Sequence, residues 1–190
     1  MRERLRELIP EFDLFTDGDL RQKTLSTWEV AMKRGGWTPD ELAELPFTLL
    51  INPCPASIIE HVRGVTLTAL SAADVFRNIY GDRLPVDREI LLAGALLHDI
   101  GKLVEYEKDQ DGLTVQTRMG KLIRHPFSGA TLAAEMGVPD DVVHIIAAHA
   151  GEGDKVKRTP EGTIVNKADF MNFESLRDLQ TKKHLAARIG

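Results

Sequence analysis

Residues 96–102 read LLHDIGK. An aliphatic run of the kind that makes a buried helix ends abruptly in an imidazole, a carboxylate, a glycine and a lysine. Packing alone gives a core helix no reason to finish that way. His98 and Asp99 are good metal ligands, and four more residues of ligand type, His61, His125, His149 and Asp169, lie around them in the chain. Imidazole and carboxylate donors in combination suit iron, manganese, cobalt, nickel or zinc, with iron or manganese favoured here. Taken singly, each residue has an ordinary explanation: a half-buried histidine is a hydrogen-bonded core or rim residue, and a lone aspartate is a helix-end or surface carboxylate. Their joint placement carries the signal, because the four histidines fall at or near helix termini or on the edge of an apolar face. Of the other two, His144 lies five residues before His149 and so points to another face, and with His184 it is expected to face solvent.

The elements that must hold these side chains are helices. Residues 1–9 have helical composition, and Pro10 ends them. Thr16 or Asp17 can cap a second helix that runs to about Arg34, where Gly35 and Gly36 stop it. Its Leu20, Leu25, Trp28 and Met32 follow one face. Thr38, Pro39 and Glu41 supply the cap, the first-turn proline and the reciprocal glutamate of a short helix. The apolar, proline-punctuated segment 46–55 reads as an ordered connection. Ser57 and Glu60 form another capping box and open a long helix to Tyr80 and Gly81, with Ile58, Val62, Val65, Ala69, Ala72 and Phe76 at spacings of 3 or 4. His61 sits beside that stripe. A nearly all-apolar helix from Ile90 to Leu97 should be central and delivers His98 and Asp99 at its C-terminal end.

Alternation in 104–107 and 113–116, around Asp111 and Gly112, predicts a short β-hairpin within 104–117. Further helices are expected from Pro126, just after His125, to Gly137; from Pro139 through His149 to Gly151; and from Thr159, the last containing Asp169. The fold class is therefore all-α, a helical bundle with one possible hairpin and no βαβ alternation. Residues 1–56 should form a helical extension packed on the core, 57–175 the metal-binding domain, and 176–190 a peripheral helix or tail, all within one compact domain.

Composition bounds the partners. A chain of 190 residues, 43% hydrophobic and 28% charged, is long enough for a well-buried core. A net charge of −5 argues against bulk capture of nucleic acid, which needs a basic surface. It leaves room for a small phosphorylated substrate, since a metal brings its own local positive charge. The single cysteine, Cys54, cannot form an internal disulfide. No apolar run approaches a membrane span, and the charged N-terminus is unlike a secretory signal, so the expected location is the cytoplasm.

The order His61, His98-Asp99, His125, His149, Asp169 resembles the HD-domain superfamily of metal-dependent phosphohydrolases, and more closely its six-ligand branch. The strings LLHDIGK (96–102), HPFSGATLA (125–133), IIAAHAGEG (145–153) and VNKADFMN (165–172) agree with it, and the resemblance covers roughly residues 57–175. It implies an HD-domain helical bundle in which His61, His98, Asp99 and Asp169 hold one divalent ion, while Asp99 bridges to a second held by His125 and His149. A carboxylate has two oxygens and can span two ions about 3.5–4 Å apart, whereas an imidazole serves one. Mononuclear members of the superfamily lack the two middle histidines. The implied reaction is hydrolysis of a small, nucleotide-like phosphomonoester or phosphodiester by metal-activated water. Asp99 and Lys102 would act at the reacting group, and Arg63 and Arg124 are further candidates for phosphate contact. Each of these three cations has an equally ordinary reading as a solvated or ion-paired surface residue.

Departures from the family narrow the reading. The cyclic-dinucleotide phosphodiesterases carry a second histidine directly after the position of His149 and a Gly-Tyr-Pro string beyond it; here Ala150 follows, and the string is missing. Ribonuclease Y joins a similar metal domain to a membrane anchor and a nucleic-acid-binding module, neither of which is expected here. Two other classes fit the same ligand pattern: the mixed-valent di-iron oxygenases related to inositol and organophosphonate oxygenases, and a metal-stabilised binding domain without turnover. Lys102 does not discriminate among them. Specificity should reside in the loops 46–56, 103–124 and 151–160, where Tyr106, Arg118 and Lys121 could line a pocket. No motif encodes the substrate or an oligomeric state.

Overall fold

The computed structural model describes residues 1–189, with side chains through Leu179. In chain order its helices are α1 (Arg2–Leu8), α2 (Gly18–Gly35), α3 (Pro39–Leu42), α4 (Ile58–Tyr80), α5 (Arg88–Leu97), α6 (Lys102–Glu105), α7 (Arg118–Leu122), α8 (His125–Glu135), α9 (Asp140–Ala148) and α10 (Pro160–Ile189). Between α6 and α7 lies a two-stranded antiparallel hairpin, β1 (Tyr106–Lys108) and β2 (Thr114–Gln116). The architecture is the all-α bundle with one small hairpin that the patterning predicts.

Local chemistry sets the helix ends. The Asp17 carboxylate accepts the N–H groups of Asp19 and Leu20 and starts α2, which ends on Gly36 at φ 76°. Both capping boxes form: Thr38 with Glu41, and Ser57 with Glu60, each side chain accepting from or reaching back to the other's backbone. Helix α5 is buried from Leu91 through Leu97. A helix apolar on every face has no side to offer to water, so it must be the centre of the domain. Accordingly α2, α4, α9 and α10 all pack against it. Two indoles then tie the first 56 residues to the end of this central helix and to α6 after it. Trp28 donates to the Leu96 carbonyl at 3.0 Å and Trp37 to the Leu103 carbonyl at 2.8 Å. Leu96 lies in the last turn of α5 and Leu103 in α6, where helix carbonyls lack intrahelical partners.

Four local expectations need correction. Val104 and Glu105 are helical, not extended, because both N–H groups turn back to the Gly101 carbonyl, at 3.1 and 3.0 Å. The strand therefore begins at Tyr106, in the register Tyr106 to Gln116, Glu107 to Val115 and Lys108 to Thr114. Residues 176–189 are not a separate element: α10 runs unbroken to Ile189, with no glycine or proline after Gly162 to stop it before that point. His144 is half-buried rather than solvent-facing, with Nε2 enclosed and unpartnered, because α9 is packed among α5, α8 and α10. Arg63 is not free to meet a phosphate: it turns toward the N-terminal segment and pairs with both oxygens of buried Glu11, at 3.0 and 3.1 Å. The expectation for His184 lies outside the described side chains. No helix among the described residues is long and apolar enough to cross a membrane.

The Ser57 box positions His61 in the first turn of α4. Ser57→Ala removes the hydroxyl that accepts the Glu60 N–H at 3.2 Å and should cost about 1 kcal/mol of stability. The expected observation is a lower urea midpoint at unchanged slope; an unchanged midpoint would show that the cap contributes nothing.

Candidate metal centre

Two helices deliver histidines by the same device. His98 is the first residue past α5, and its Nδ1 lies 2.7 Å from the Ala95 carbonyl; His149 is the first residue past α9, with Nδ1 2.7 Å from the Ile146 carbonyl. A carbonyl only accepts, so Nδ1 carries the proton in both rings and Nε2 is left with a free lone pair. His61 comes from the first turn of α4, its ring stacked on Phe47 with centroids 4.3 Å apart. His125 opens α8, where its backbone N–H and Nδ1–H both donate to the Glu105 carboxylate, at 2.7 and 3.1 Å. Asp169 projects from α10. Asn166, one turn earlier on that helix, donates to the His149 carbonyl at 2.6 Å and braces the turn after α9.

These side chains converge on Asp99, which is 1% exposed. Its Oδ2 lies 3.3 Å from His61 Nε2 and 3.4 Å from His98 Nε2. Its Oδ1 lies 3.3 Å from His125 Nε2 and 3.7 Å from His149 Nε2. Asp169 Oδ1 joins the first group, 3.2 Å from His61 Nε2 and 4.0 Å from His98 Nε2. Donor atoms of His61, His98 and Asp99 all lie within 4.8 Å of one another, and so do those of Asp99, His125 and His149.

The donor set fits divalent cations. His149 Nε2 is buried and has no hydrogen-bond partner, which leaves a lone pair aimed at a carboxylate beyond hydrogen-bond reach. The Nε2 atoms of His61 and His98 face each other at 3.3 Å. Such convergence of ring nitrogens and carboxylate oxygens is a donor set suited to a divalent cation.

Protonation suits the same end. Burial pushes His125 down to about 4, so its ring is neutral at ordinary pH and can act as a ligand. Burial alone would raise Asp169, but its hydrogen bond with His61 and the nearby imidazoles bring it down to about 2. Burial would likewise raise Asp99; the Lys102 ammonium and the imidazoles outweigh it and hold the carboxyl well below its ordinary range. Lys102 is not a solvated lysine. Its Nζ is buried, 2.7 Å from Asp99 Oδ2 and 2.7 Å from the Phe47 carbonyl, and attraction to Asp99 overcomes burial to keep it raised.

The centre opens into a cavity of about 810 Å³. Asp99, Lys102, His125 and Asp169 line it, with Lys121 and Arg124 among its polar residues and Phe47, Leu49, Leu50, Phe170 and Phe173 among its apolar ones. Tyr106 also contributes to the lining. Arg124 lies 3.7 Å from Glu152 across the mouth. Arg63 and Arg118 are not part of the lining. Sequence reasoning missed Phe47, Glu105 and Asn166. Asn166 lies inside the VNKADFMN string, but Phe47 is one more apolar residue in a connection and Glu105 sits in a segment that reads as strand.

The HD domain family matches residues 58–171 of the chain. Over 113 residues the chain is 36% identical to the dihydroneopterin 2′,3′-cyclic phosphate phosphodiesterase of Methanocaldococcus jannaschii, a match covering 59% of this chain and 44% of that protein. It is 29% identical over 149 residues to the tRNA (cytidine(56)-2′-O)-methyltransferase of Picrophilus torridus, covering 67% and 37% of the two chains. It is 36% identical over 89 residues to the ribonuclease Y of Acidothermus cellulolyticus, covering 47% and 15%. The chain thus spans less than half the length of each of these relatives. No solved structure matches it.

The centre also depends on a close backbone approach. A Cβ at Gly101 would lie 2.1 Å from the His125 carbonyl oxygen and 2.7 Å from the Gly129 nitrogen. Gly101→Ala must therefore push α8, and His125 with it, away from Asp99. We expect a loss of roughly 1–3 kcal/mol, seen as a lower melting temperature, together with less metal retained after dialysis. Wild-type values for both would contradict the tight contact.

Proposed function

The chain belongs to the HD domain family of metal-dependent phosphohydrolases, and from that premise we propose that it hydrolyses a phosphate ester of a small, nucleotide-like molecule at a dinuclear metal centre. The observation that carries the proposal is the division of Asp99, one oxygen turned to His61 and His98, the other to His125 and His149. On this reading His61, His98, Asp99 and Asp169 would hold one divalent ion, and Asp99, His125 and His149 the other. When bound, such a pair supplies water activated near neutral pH and neutralises charge on the phosphoryl oxygens. Iron or manganese suits the mixed nitrogen and oxygen donors.

The chain's own residues do the rest. The Nδ1–H bonds of His98 and His149 hold their free nitrogens toward Asp99. Lys102 presents a buried ammonium at the cavity and would face a non-bridging oxygen of the substrate. Lys121 and Arg124 stand in the lining with Lys102, but Asp99, Glu105, Glu152 and Asp169 offset them, so the positive charge that receives an anion would come with the metals. The apolar residues of the cavity suit a flat ring. Arg63, committed to Glu11, has no part in it. The cyclic phosphodiester in the name of the M. jannaschii relative favours a diester over a monoester.

Hydrolysis of bis-p-nitrophenyl phosphate that requires Mn²⁺ or Fe²⁺ and disappears in Asp99→Asn is the expected result. Substrate-dependent oxygen uptake with no ester cleavage would favour an oxygenase instead. Replacing His125 by Ala should lower bound metal from about two ions per chain to about one and reduce diester cleavage to background; unchanged stoichiometry would sink the dinuclear assignment.

A further inference from the structure

Glu105 is a buried carboxylate, at 4% exposure, that the proposed hydrolysis does not use. One of its oxygens, Oε2, accepts both the backbone N–H of His125, at 2.7 Å, and the Nδ1–H of the same residue, at 3.1 Å. The other, Oε1, accepts the side-chain amide of Gln116 at 2.9 Å, and that amide also donates to the Gly120 carbonyl at 3.0 Å. The backbone of Glu105 is fixed as well: its N–H donates to the Gly101 carbonyl at 3.0 Å, and its carbonyl accepts the Thr117 N–H at 2.8 Å. Accepting three N–H donors through its two oxygens, the group is placed as a carboxylate acceptor.

The four histidines around Asp99 are thus not equivalent. His98 and His149 give Nδ1–H to neutral carbonyls of their own helices, and the buried Nδ1 of His61 has no partner. Only His125 of these four sets a charged carboxylate against Nδ1. A carboxylate behind a metal-ligating imidazole fixes its tautomer and orientation and makes the far nitrogen more basic. We propose that Glu105 is a positioning residue for the His125–His149 half of the centre, orienting His125 Nε2 toward Asp99 Oδ1 and strengthening it as a ligand, with the β1–β2 hairpin holding the carboxylate in place through Gln116. The hairpin thereby braces one metal position. The proposal rests on the dinuclear reading, and its test separates the two.

The experiment is calorimetric titration of the full, metal-free chain with Co²⁺, followed in parallel by the visible absorption of the bound ion. Wild type should take up two ions. Glu105→Gln, which keeps the shape but removes the charge, should weaken the second ion by about 10- to 100-fold and leave the first unchanged. The absorption of the second equivalent should then appear only at correspondingly higher free Co²⁺. Should that variant fail to fold, Gln116→Ala, which removes only the support behind the carboxylate, should show the same selective loss in weaker form. Two ions bound by Glu105→Gln as tightly as by wild type would overturn the proposal and leave the dinuclear reading standing. Equal weakening of both ions would also overturn it, because a general structural role spares neither. Uptake of a single ion by wild type would overturn the dinuclear reading and the proposal with it.

Discussion

A carboxylate enclosed at the centre of a hydrophobic core is the constraint on which the rest depends. An ionised group taken out of water must be paired or must give up its charge, since the unpaired form costs several kcal/mol. Asp99 is in that position, and the chain sets against it the Lys102 ammonium, the first residue of α6, and four imidazoles able to hold cations there, drawn from α4, the ends of α5 and α9 and the start of α8. These contacts come from segments far apart in the sequence. They require that α5 be central, that it stop at Leu97, and that α8 approach the following turn closely enough to exclude any side chain at Gly101. The fold is in large part a means of bringing donors to both oxygens of one residue.

The side-chain charges by themselves draw in no anion, either over the whole chain or at the cavity. The chain as a whole is acidic, which disfavours polyanions at long range. At the cavity, Lys102, Lys121 and Arg124 share the lining with Asp99, Glu105, Glu152 and Asp169, so cations and carboxylates largely offset one another there. On the proposed reading the metals supply the charge that would receive a phosphate, and a long nucleic acid gains little elsewhere on the acidic chain.

Much of this was legible in the sequence because its signals are local. Capping boxes at Thr38 and Ser57, the apolar run of α5 and the helix stops at Gly36 and Gly81 each act within one or two turns, and each is where the pattern placed it. The six candidate ligand residues could be gathered from their order and the strings around them, and the structure brings them to one point. What failed depended on partners distant in sequence. Glu105 and His125 are 20 residues apart, and nothing in the alternation of 104–107 distinguishes a strand from a turn whose N–H groups return to Gly101. Arg63 sits two residues after His61, but its pairing with Glu11, 52 residues away, decides where it points. The spacing of His144 from His149 sets it apart from the ligands, yet the packing of α9 on three neighbours, which no periodicity reports, encloses its ring nitrogen.

The central claim is that Asp99 is shared by two ions. Diffraction from crystals grown with Mn²⁺, measured at the manganese absorption edge, tests it most directly. The account predicts two anomalous peaks about 3.5–4 Å apart, one beside His61 and His98 and the other beside His125 and His149, with an oxygen of Asp99 coordinating each. A single peak, or two peaks of which only one contacts Asp99, would contradict it.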